Sequence, residues 1–330
     1  MNRAFRLLRR RTISSIPVLL IVVVGAFLLL EAAPGDAVDA YLLSIGGGDP
    51  ALVQALRESY GLDQSLPARL WLYLSALARL DLGWSVTFGR PILDLILERL
   101  PNTLWLMGSA VALAFTLGSA LGIVAGARPG SARDRLLSTG SLALYAVPSF
   151  WLGLVLILVF AVQLRWFPTS GIATIASGKQ GIERAIDIAH HLVLPVCSLG
   201  FIYLALFLRM MRAGMAEAWR QDYALAARAK GLARRRIVLR HVARNALLPL
   251  VTMLGLQAAS MLGGSVVVES VFAVPGFGRL AQEAVAGRDA PLLTGIILVS
   301  AVIVILINLA VDIAYGILDP RVGASEGRAA

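Results

Sequence analysis

The sequence predicts an all-α polytopic membrane protein with six transmembrane helices. The chain has 330 residues, of which 58% are hydrophobic, and a mean hydropathy of +0.77, so it is more apolar than a soluble domain of this length. A bilayer crossing takes about 20 mostly apolar residues, whereas a β-barrel strand would show about ten residues of alternating hydrophobicity. Six runs without Lys, Arg, Asp or Glu are long enough to cross: Thr12–Leu30, Leu100–Ala127, Leu136–Leu164, Ile188–Leu208, Asn245–Val268 and Ala290–Val311.

The distribution of basic residues predicts that both termini are cytoplasmic. With six spans, the N-terminal tail, the 128–135 and 209–244 loops and the C-terminal tail share one side of the membrane. These segments hold 20 Lys and Arg residues, against 10 on the other side. Because basic residues concentrate in cytoplasmic loops, this side is cytoplasmic. The net charge of +10 then reflects topology and affinity for anionic headgroups, not binding of nucleic acid.

Three parts are expected along the chain. Residues 1–95 form a first transmembrane helix and a long extracytoplasmic segment with a turn at Ala33–Asp36 and a helical piece at Pro50–Tyr60. The first run exceeds the hydrophobic region of a signal peptide, so we expect it to be retained. Residues 96–318 form a five-helix core that contains the cytoplasmic loop 209–246, and residues 319–330 form a tail. Cys197 is the single cysteine, so no intrachain disulfide is possible and a packing role is expected.

Small residues at helical spacing predict close helix packing in the second and fifth spans. Residues four apart share one face of a helix, and glycines on that face let another membrane helix approach closely. A more specific interpretation, in which these residues line a moving gate, does not exclude the packing role. The residues are Gly118, Gly122 and Gly126 in the second span and Gly255, Ala259 and Gly263 in the fifth.

Polar side chains within spans are costly and are therefore candidates for a pathway or gate. Asp312 would be the only acid within a span, and a structural hydrogen bond is favoured for it over a proton relay. His190 and His191 are adjacent and point in different directions on a helix, so no metal site is expected. The remaining candidates are Ser149, Gln257, Ser260, Ser265 and Asn308.

The segment Asp222–Pro249 is the most informative one. It carries seven of the 30 Lys and Arg residues and a single acid, and it lies between two apolar runs. Asp222 is a suitable N-cap, Gly231 a suitable C′ residue and Lys230 lies in the last turn, which predicts a short helix over Tyr223–Lys230. A second helix is predicted over Leu232–Ala246.

A helix as short as Tyr223–Lys230 is marginal in water and needs a surface to pack on. Its alanines would let a partner groove receive it closely. The alternative is a solvated loop that follows the positive-inside bias. Binding of RNA or DNA is disfavoured because the segment has no aromatic platform for bases.

This segment resembles the cytoplasmic loop of permease subunits in binding-protein-dependent ABC importers, in the subgroup for dipeptides, oligopeptides or nickel. That loop has an E-A-A-x-x-x-G core. Ala226, Ala227 and Gly231 match it, and Leu225 replaces the Glu. The rest of the chain is similar too, because the following motifs occur in the order of the subgroup: RRRTISSIPVLL, APGD, YGLDQSLP, DLG, ERLPNTLWL, PSFWLGL, VVVESVFAVPGFG and ILDPR.

The resemblance implies a type I ABC importer permease fold in a bacterial inner membrane. It implies four partners: a second homologous permease, two cytoplasmic ATPase subunits that bind ATP and Mg²⁺, and an extracytoplasmic solute-binding protein. Segments 31–99 and 269–289 would meet the binding protein, with Pro275 and Gly276 near the outer mouth of the pathway. The residues expected to couple to an ATPase are Asp222, Tyr223, Ala226, Ala227, Lys230 and Gly231.

This chain is expected to be no enzyme and to hold no cofactor or metal. The only lysines are Lys179 and Lys230, and neither lies in a Walker A sequence. The expected solute is a di- or oligopeptide, with nickel or a metal chelate, an opine or glutathione as alternatives.

Two other function classes are disfavoured. An ion-coupled secondary transporter would need ionisable residues at the bilayer midplane or an inverted repeat, and neither is evident. An intramembrane enzyme would need a catalytic motif such as GxSxG or HExxH, which the sequence lacks.

Overall fold

The structure is a computed structural model, and it describes residues 3–32, 54 and 64–318. The predicted turn at Ala33–Asp36, the predicted helical piece at Pro50–Tyr60 except Gln54, and the tail 319–330 lie outside these residues. Within them the fold is all-α, apart from one isolated β-bridge between Trp84 and Pro91. The helices are α1 (Arg3–Ala32), α2 (Leu66–Ala78), α3 (Ile92–Gly126), α4 (Ala132–Ala146), α5 (Ser149–Gln163), α6 (Gly181–Ala218), α7 (Asp222–Ala229), α8 (Arg234–Val271), α9 (Phe277–Ala286) and α10 (Ala290–Leu318).

Four of the described helices are long and apolar enough to cross a membrane: α3, α6, α8 and the Ala290–Val311 part of α10. The pair α4 and α5 makes a fifth span if it is counted as one broken crossing, and α1 contains a shorter apolar stretch, Ile13–Leu28. The described chain is therefore an all-α membrane protein with four to five apolar spans.

The third apolar run is not one straight helix. The run Leu136–Leu164, which was predicted as one transmembrane helix, is divided between α4 and α5, and these two helices meet at an angle of 100°. Val147 is extended, with ψ 126°, and Pro148 has φ −62° and ψ 141°. A proline disfavours helical geometry in the residue before it and offers no N–H for a helical hydrogen bond. The chain turns sharply at this dipeptide.

The helices α6 and α8 extend well beyond their apolar runs. Each has 38 residues, which corresponds to about 57 Å at about 1.5 Å per residue, against about 30 Å for a hydrocarbon core. Among the described residues, two stretches are π-helical, Ile157–Gln163 at the end of α5 and Ile237–Val242 near the start of α8. The predicted helix Leu232–Ala246 is thus the first part of α8, and it begins two residues later.

The chain forms two compact units, of which the larger comprises 1–7, 102–275 and 306–330. Its described core centres on α6, which packs against α8, α4 and α5. Phe207, Met211 and Met215 of α6 are fully buried there, together with Leu250 of α8.

In the larger unit an ion pair ties α4 to α6. Asp134 lies in the first turn of α4 and is buried, and its carboxylate accepts hydrogen bonds from the Arg212 guanidinium. The same carboxylate accepts from the Gly130 amide at 2.8 Å and from Ser138 Oγ at 3.3 Å. The loop of residues 127–131 is therefore held by one buried acid.

A second buried acid organises the loop before α6. Asp187 accepts from Lys179 Nζ at 2.7 Å, from the Thr174 amide at 2.7 Å and from Thr174 Oγ1 at 2.9 Å. The Gly171 amide donates to the Phe272 carbonyl at 2.8 Å, which attaches the same loop to the end of α8. The loop is thus folded, not merely a connection.

The smaller unit comprises 8–101 and 276–305. Ile92 and Ile96, at the start of α3, are buried in it, and Ile92 Cγ2 would lie 2.7 Å from a Cβ added to Gly295 of α10. Asp289 is buried and accepts from Ser85 Oγ, from the Thr87 amide at 2.9 Å and from the Leu292 amide at 3.1 Å. This acid therefore caps the start of α10.

Candidate functional site

The predicted short helix is present as α7, and it begins one residue earlier than expected. Gln221, with φ −77° and ψ 148°, is the N-cap, and its side chain makes no capping hydrogen bond. Asp222 is the first helical residue, not the N-cap. Its negative charge still lies in the first turn, where it interacts favourably with the partial positive charge of the helix N-terminus.

The C-terminus of α7 closes in a Schellman motif. Gly231 has φ +69°, and its amide donates to the Arg228 carbonyl at 2.9 Å. The next amide, of Leu232, donates to the Ala227 carbonyl at 3.3 Å. Lys230 is the C-cap and lies outside the helix proper. A left-handed residue at this position explains why a glycine stands at 231.

One face of α7 is packed inside the chain. Ala224 and Ala227 are 0% and 4% exposed, and they join the buried cluster that contains Ile237, Val238 and Val242 of α8. Ala227, one of the residues expected to couple to an ATPase, therefore has its side chain buried within the chain, where it helps to hold α7 in place.

The opposite face of α7 is exposed and has small side chains at its centre. Ala226 and Ala229 are exposed. Leu225 is 52% exposed on one flank, and Tyr223 is 36% exposed on the other. The helix thus presents a shallow surface between two large apolar side chains, and Leu225 occupies the position of the missing Glu.

Trp219 anchors this region, and sequence reasoning missed it. It follows α6 directly, is buried, and donates from its indole Nε1 to the Gly126 carbonyl at 2.9 Å. The guanidinium carbons of Arg228 and Arg234 lie 4.6 Å and 5.8 Å from the centre of its ring. The signal in the sequence was a lone tryptophan at the edge of an Arg-rich segment.

A basic depression lies beside the first turns of α8. It is open, has a volume of about 690 Å³, and is lined by Leu239, Arg240, His241, Arg244 and Leu247. Arg240 and Arg244 are exposed. Arg240 and Arg244 therefore point away from the buried cluster that contains Ile237, Val238 and Val242.

The three glycines of α3 lie directly against α6. A Cβ added to Gly118 would lie 2.8 Å from the Leu204 carbonyl oxygen, and one added to Gly126 would lie 2.7 Å from Met215 Cβ. In α8, a Cβ on Gly255 would lie 2.9 Å from Val311 of α10. Gly263 differs from expectation, because a Cβ there would meet nothing within 4 Å and this glycine packs against no described helix.

The polar pathway candidates lie in different environments. Ser265 is buried and donates to the Leu262 carbonyl, whereas Ser260 is exposed and donates to the Leu256 carbonyl. Gln257 is half-buried in α8. Ser149 is the first residue of α5, and its carbonyl accepts from Ser198 Oγ at 2.8 Å.

The end of α8 holds a buried acid that the charge-free runs did not reveal. Glu269 is fully buried, and Thr103 Oγ1 donates to its carboxylate at 2.6 Å. The predicted span ends at Val268 because Glu269 is the first charged residue after it. Asp312 is therefore not the only acid within an apolar helix, and its own side chain lies outside the described part.

The motif after α8 is a turn into α9. The Pro275 carbonyl accepts from Asn102 Nδ2 at 2.7 Å. Gly276, with φ −105° and ψ 176°, is the N-cap of α9. Groups of three or more His, Cys, Asp or Glu side chains placed to hold a metal are absent from the described residues.

Two known families match the chain. The family described as binding-protein-dependent transport system inner membrane component matches residues 118–324. The family described as the N-terminal part of such a membrane component matches residues 4–107. Together they account for nearly the whole sequence.

Curated relatives match over nearly their full length. The oligopeptide transport system permease protein AppB of Bacillus subtilis (strain 168) is 39% identical over 318 residues, which are 95% of this chain and 98% of the relative. The glutathione transport system permease protein GsiC of Escherichia coli (strain K12) is 38% identical over 313 residues, which are 95% of this chain and 97% of the relative.

A solved structure has a similar fold. The MetNI methionine ABC transporter, described in inward-facing conformations, includes a chain that matches with a TM-score of 0.55 and 18% sequence identity. The match covers 68% of this chain and 96% of that chain. At this identity the likeness shows the fold alone.

Proposed function

Because this chain belongs to the family of binding-protein-dependent transport system inner membrane components, we propose that α7 is the helix through which ATPase subunits drive it. The chain is the permease subunit of an ABC importer. It is a multi-pass protein of the inner membrane, and it is not the importer's ATPase.

The exposed face of α7 carries the proposal. A helix of eight residues does not persist alone in water. Here Ala224 and Ala227 secure one face, and the other face leaves Leu225 and Tyr223 unburied on either side of small alanines. A partner groove that covers these apolar side chains would dock closely on the alanine surface. Such helix-in-groove docking uses apolar contacts at helical spacing.

In the assembly that we propose, the chain has four partners. They are a second, homologous permease, two cytoplasmic ATPase subunits that hold ATP and Mg²⁺, and an extracytoplasmic solute-binding protein. Six crossings with both termini in the cytoplasm fit the 20 to 10 distribution of basic residues, and they require α1 and the bent pair α4–α5 each to cross once. Segments 31–99 and 269–289 would then face the binding protein.

The solute we propose is a di- or oligopeptide, glutathione included. The relatives named for oligopeptide and glutathione transport are 39% and 38% identical along almost the whole chain. Uptake of labelled peptides and of labelled glutathione by the reconstituted importer tests this. Saturable, ATP-dependent uptake of a peptide supports the proposal, and uptake restricted to a metal chelate or an opine overturns it.

Ala226→Arg tests the docking of α7, because it places a large charge in the centre of the exposed face without touching the buried one. We expect loss of co-purifying ATPase subunits and at least a tenfold drop in ATP-dependent uptake. The matched control is Ala233→Arg, the same change at an exposed position beyond the Gly231 turn. Normal co-purification and uptake in Ala226→Arg would overturn the proposal.

A further inference from the structure

We propose that Trp219 is a positioning residue that fastens α7 to the end of α3, so that α3, the last turns of α6 and α7 move as one body. The inference rests on the proposed role of α7 as the helix that ATPase subunits move. Trp219 would be the route by which that movement reaches the membrane-spanning helices.

The indole caps the end of α3. The last carbonyls of a helix have no partner within the helix and need one from elsewhere. Trp219 Nε1 donates to the carbonyl of Gly126, the last residue of α3, at 2.9 Å. The carbonyl of the next residue, Ala127, accepts from Arg234 Nη2 at 2.8 Å. Two side chains, one from each end of segment 219–234, thus terminate α3.

The same indole holds α7 through a cation. Arg228 lies in the last turn of α7, and its guanidinium carbon is 4.6 Å from the centre of the Trp219 ring. A guanidinium within about 6 Å of an indole face is attracted by the electrons of the ring. Arg234, at 5.8 Å, adds a second such contact from the first residue of α8. One side chain therefore joins the ends of three helices.

The contact between α3 and α6 is close along the glycine face of α3. A Cβ added to Gly122 would lie 2.5 Å from Met211 Cβ, and one added to Gly126 would lie 2.7 Å from Met215 Cβ. Because close-packed interiors have low compressibility and transmit strain, a displacement of one helix would be passed to the other across this glycine face. A displacement of α7 would then reach α3 and α6 together through Trp219.

If Trp219 only filled space in the core, different properties of its side chain would matter. Filling space requires only an apolar side chain of suitable volume, whereas the linkage requires the indole N–H and the aromatic face. Trp219→Phe keeps an aromatic ring and removes the hydrogen bond to Gly126. Arg228→Gln removes the cation from above the ring and leaves Trp219 in place.

The experiment uses the assembled importer, with its ATPase subunits and binding protein, reconstituted in liposomes. Two quantities are measured: solute transported per ATP hydrolysed, and hydrogen exchange of the α7 amides. For Trp219→Phe we expect a complex in wild-type amount, about a fivefold fall in transport per ATP, as for one lost hydrogen bond, and faster exchange in α7. Arg228→Gln should act in the same direction.

The matched control is Arg235→Gln, an exposed arginine in the same segment that makes no hydrogen bond or ion pair within the described chain. It should leave both quantities unchanged. Unchanged transport per ATP in Trp219→Phe would overturn the linkage. A fall in uptake and ATPase activity in proportion to lost complex would also overturn it, because that result indicates core filling alone.

Failure of the linkage and failure of the proposed function give different results. If Ala226→Arg abolishes uptake while Trp219→Phe keeps its transport per ATP, only the linkage fails. If Ala226→Arg keeps full uptake, the role of α7 itself fails, whatever Trp219→Phe does.

Discussion

Gly122 of α3 and Met211 of α6 approach so closely that a Cβ on the glycine would lie 2.5 Å from the Met211 Cβ. The same Cβ would lie 2.7 Å from the Leu208 carbonyl oxygen. Real Cβ atoms do not make such contacts with backbone, so the two helices can keep this distance only while position 122 is glycine. Membrane helices depend on close contact of this kind, because lipid tails are as apolar as leucine side chains.

Gly122→Ala should destabilise the protein by about 1–3 kcal/mol, the usual cost of overpacking, despite the better helix propensity of alanine. Thermal unfolding in detergent measures this change. Gly108→Ala is the matched control in the same helix, since a Cβ there meets nothing within 4 Å. Equal melting temperatures for the two variants would contradict the packing described for α3.

Gly231→Val should unravel the end of α7 and weaken the association with ATPase subunits. The added side chain has space around it, but φ +69° costs a β-branched residue about 1–3 kcal/mol. Asn tolerates this region, so Gly231→Asn should behave almost as the wild type. Hydrogen exchange of the Asp222–Ala229 amides distinguishes the two. If these amides exchanged as slowly in Gly231→Val as in the wild type, the stability of α7 would not depend on this turn.

Replacing Arg212 by Met should lower stability by about 1–3 kcal/mol, because it leaves the buried Asp134 carboxylate without its charged partner. The double variant Asp134→Asn/Arg212→Met should lose less than the sum of the two single variants. Chemical or thermal unfolding of all four proteins completes the cycle. Strictly additive losses would mean that the pair contributes no coupling between α4 and α6.

Asp187→Asn should loosen the loop before α6, since Thr174 and Lys179 both donate to this carboxylate. We expect cleavage within residues 165–180 by an added protease to become several times faster. Glu183→Gln, an exposed acid one turn earlier on α6, is the control and should leave the cleavage rate unchanged. An unchanged rate in Asp187→Asn would show that the loop is held by other contacts, such as that of Gly171.

Much of the fold could be predicted because local signals and tertiary structure agree. Apolar runs without charges located the cores of α3, α6, α8 and α10, since a bilayer imposes both length and composition. The glycine at 231 located the end of α7, because few other residues adopt a positive φ. Family motifs predicted the importer family that the matches over residues 4–107 and 118–324 confirm.

Other features could not be predicted because they depend on contacts between distant residues. Pro195 and Pro249 lie inside continuous helices, whereas Pro148 sits at a 100° bend, and nothing in their own residue type separates them. Gly255 meets Val311 while Gly263, eight residues along the same helix, meets nothing. Spacing alone assigned both glycines to packing.

The sequence by itself determined that the chain is an α-helical membrane protein, where its apolar helices lie, and to which family it belongs. These properties follow from composition and short motifs, which act locally. Only the tertiary structure decided which face of α7 is buried, that Ala227 points inward, and that Trp219 reaches Gly126 across 93 positions of sequence. Such pairings arise when helices pack, and a one-dimensional pattern does not record which face meets which.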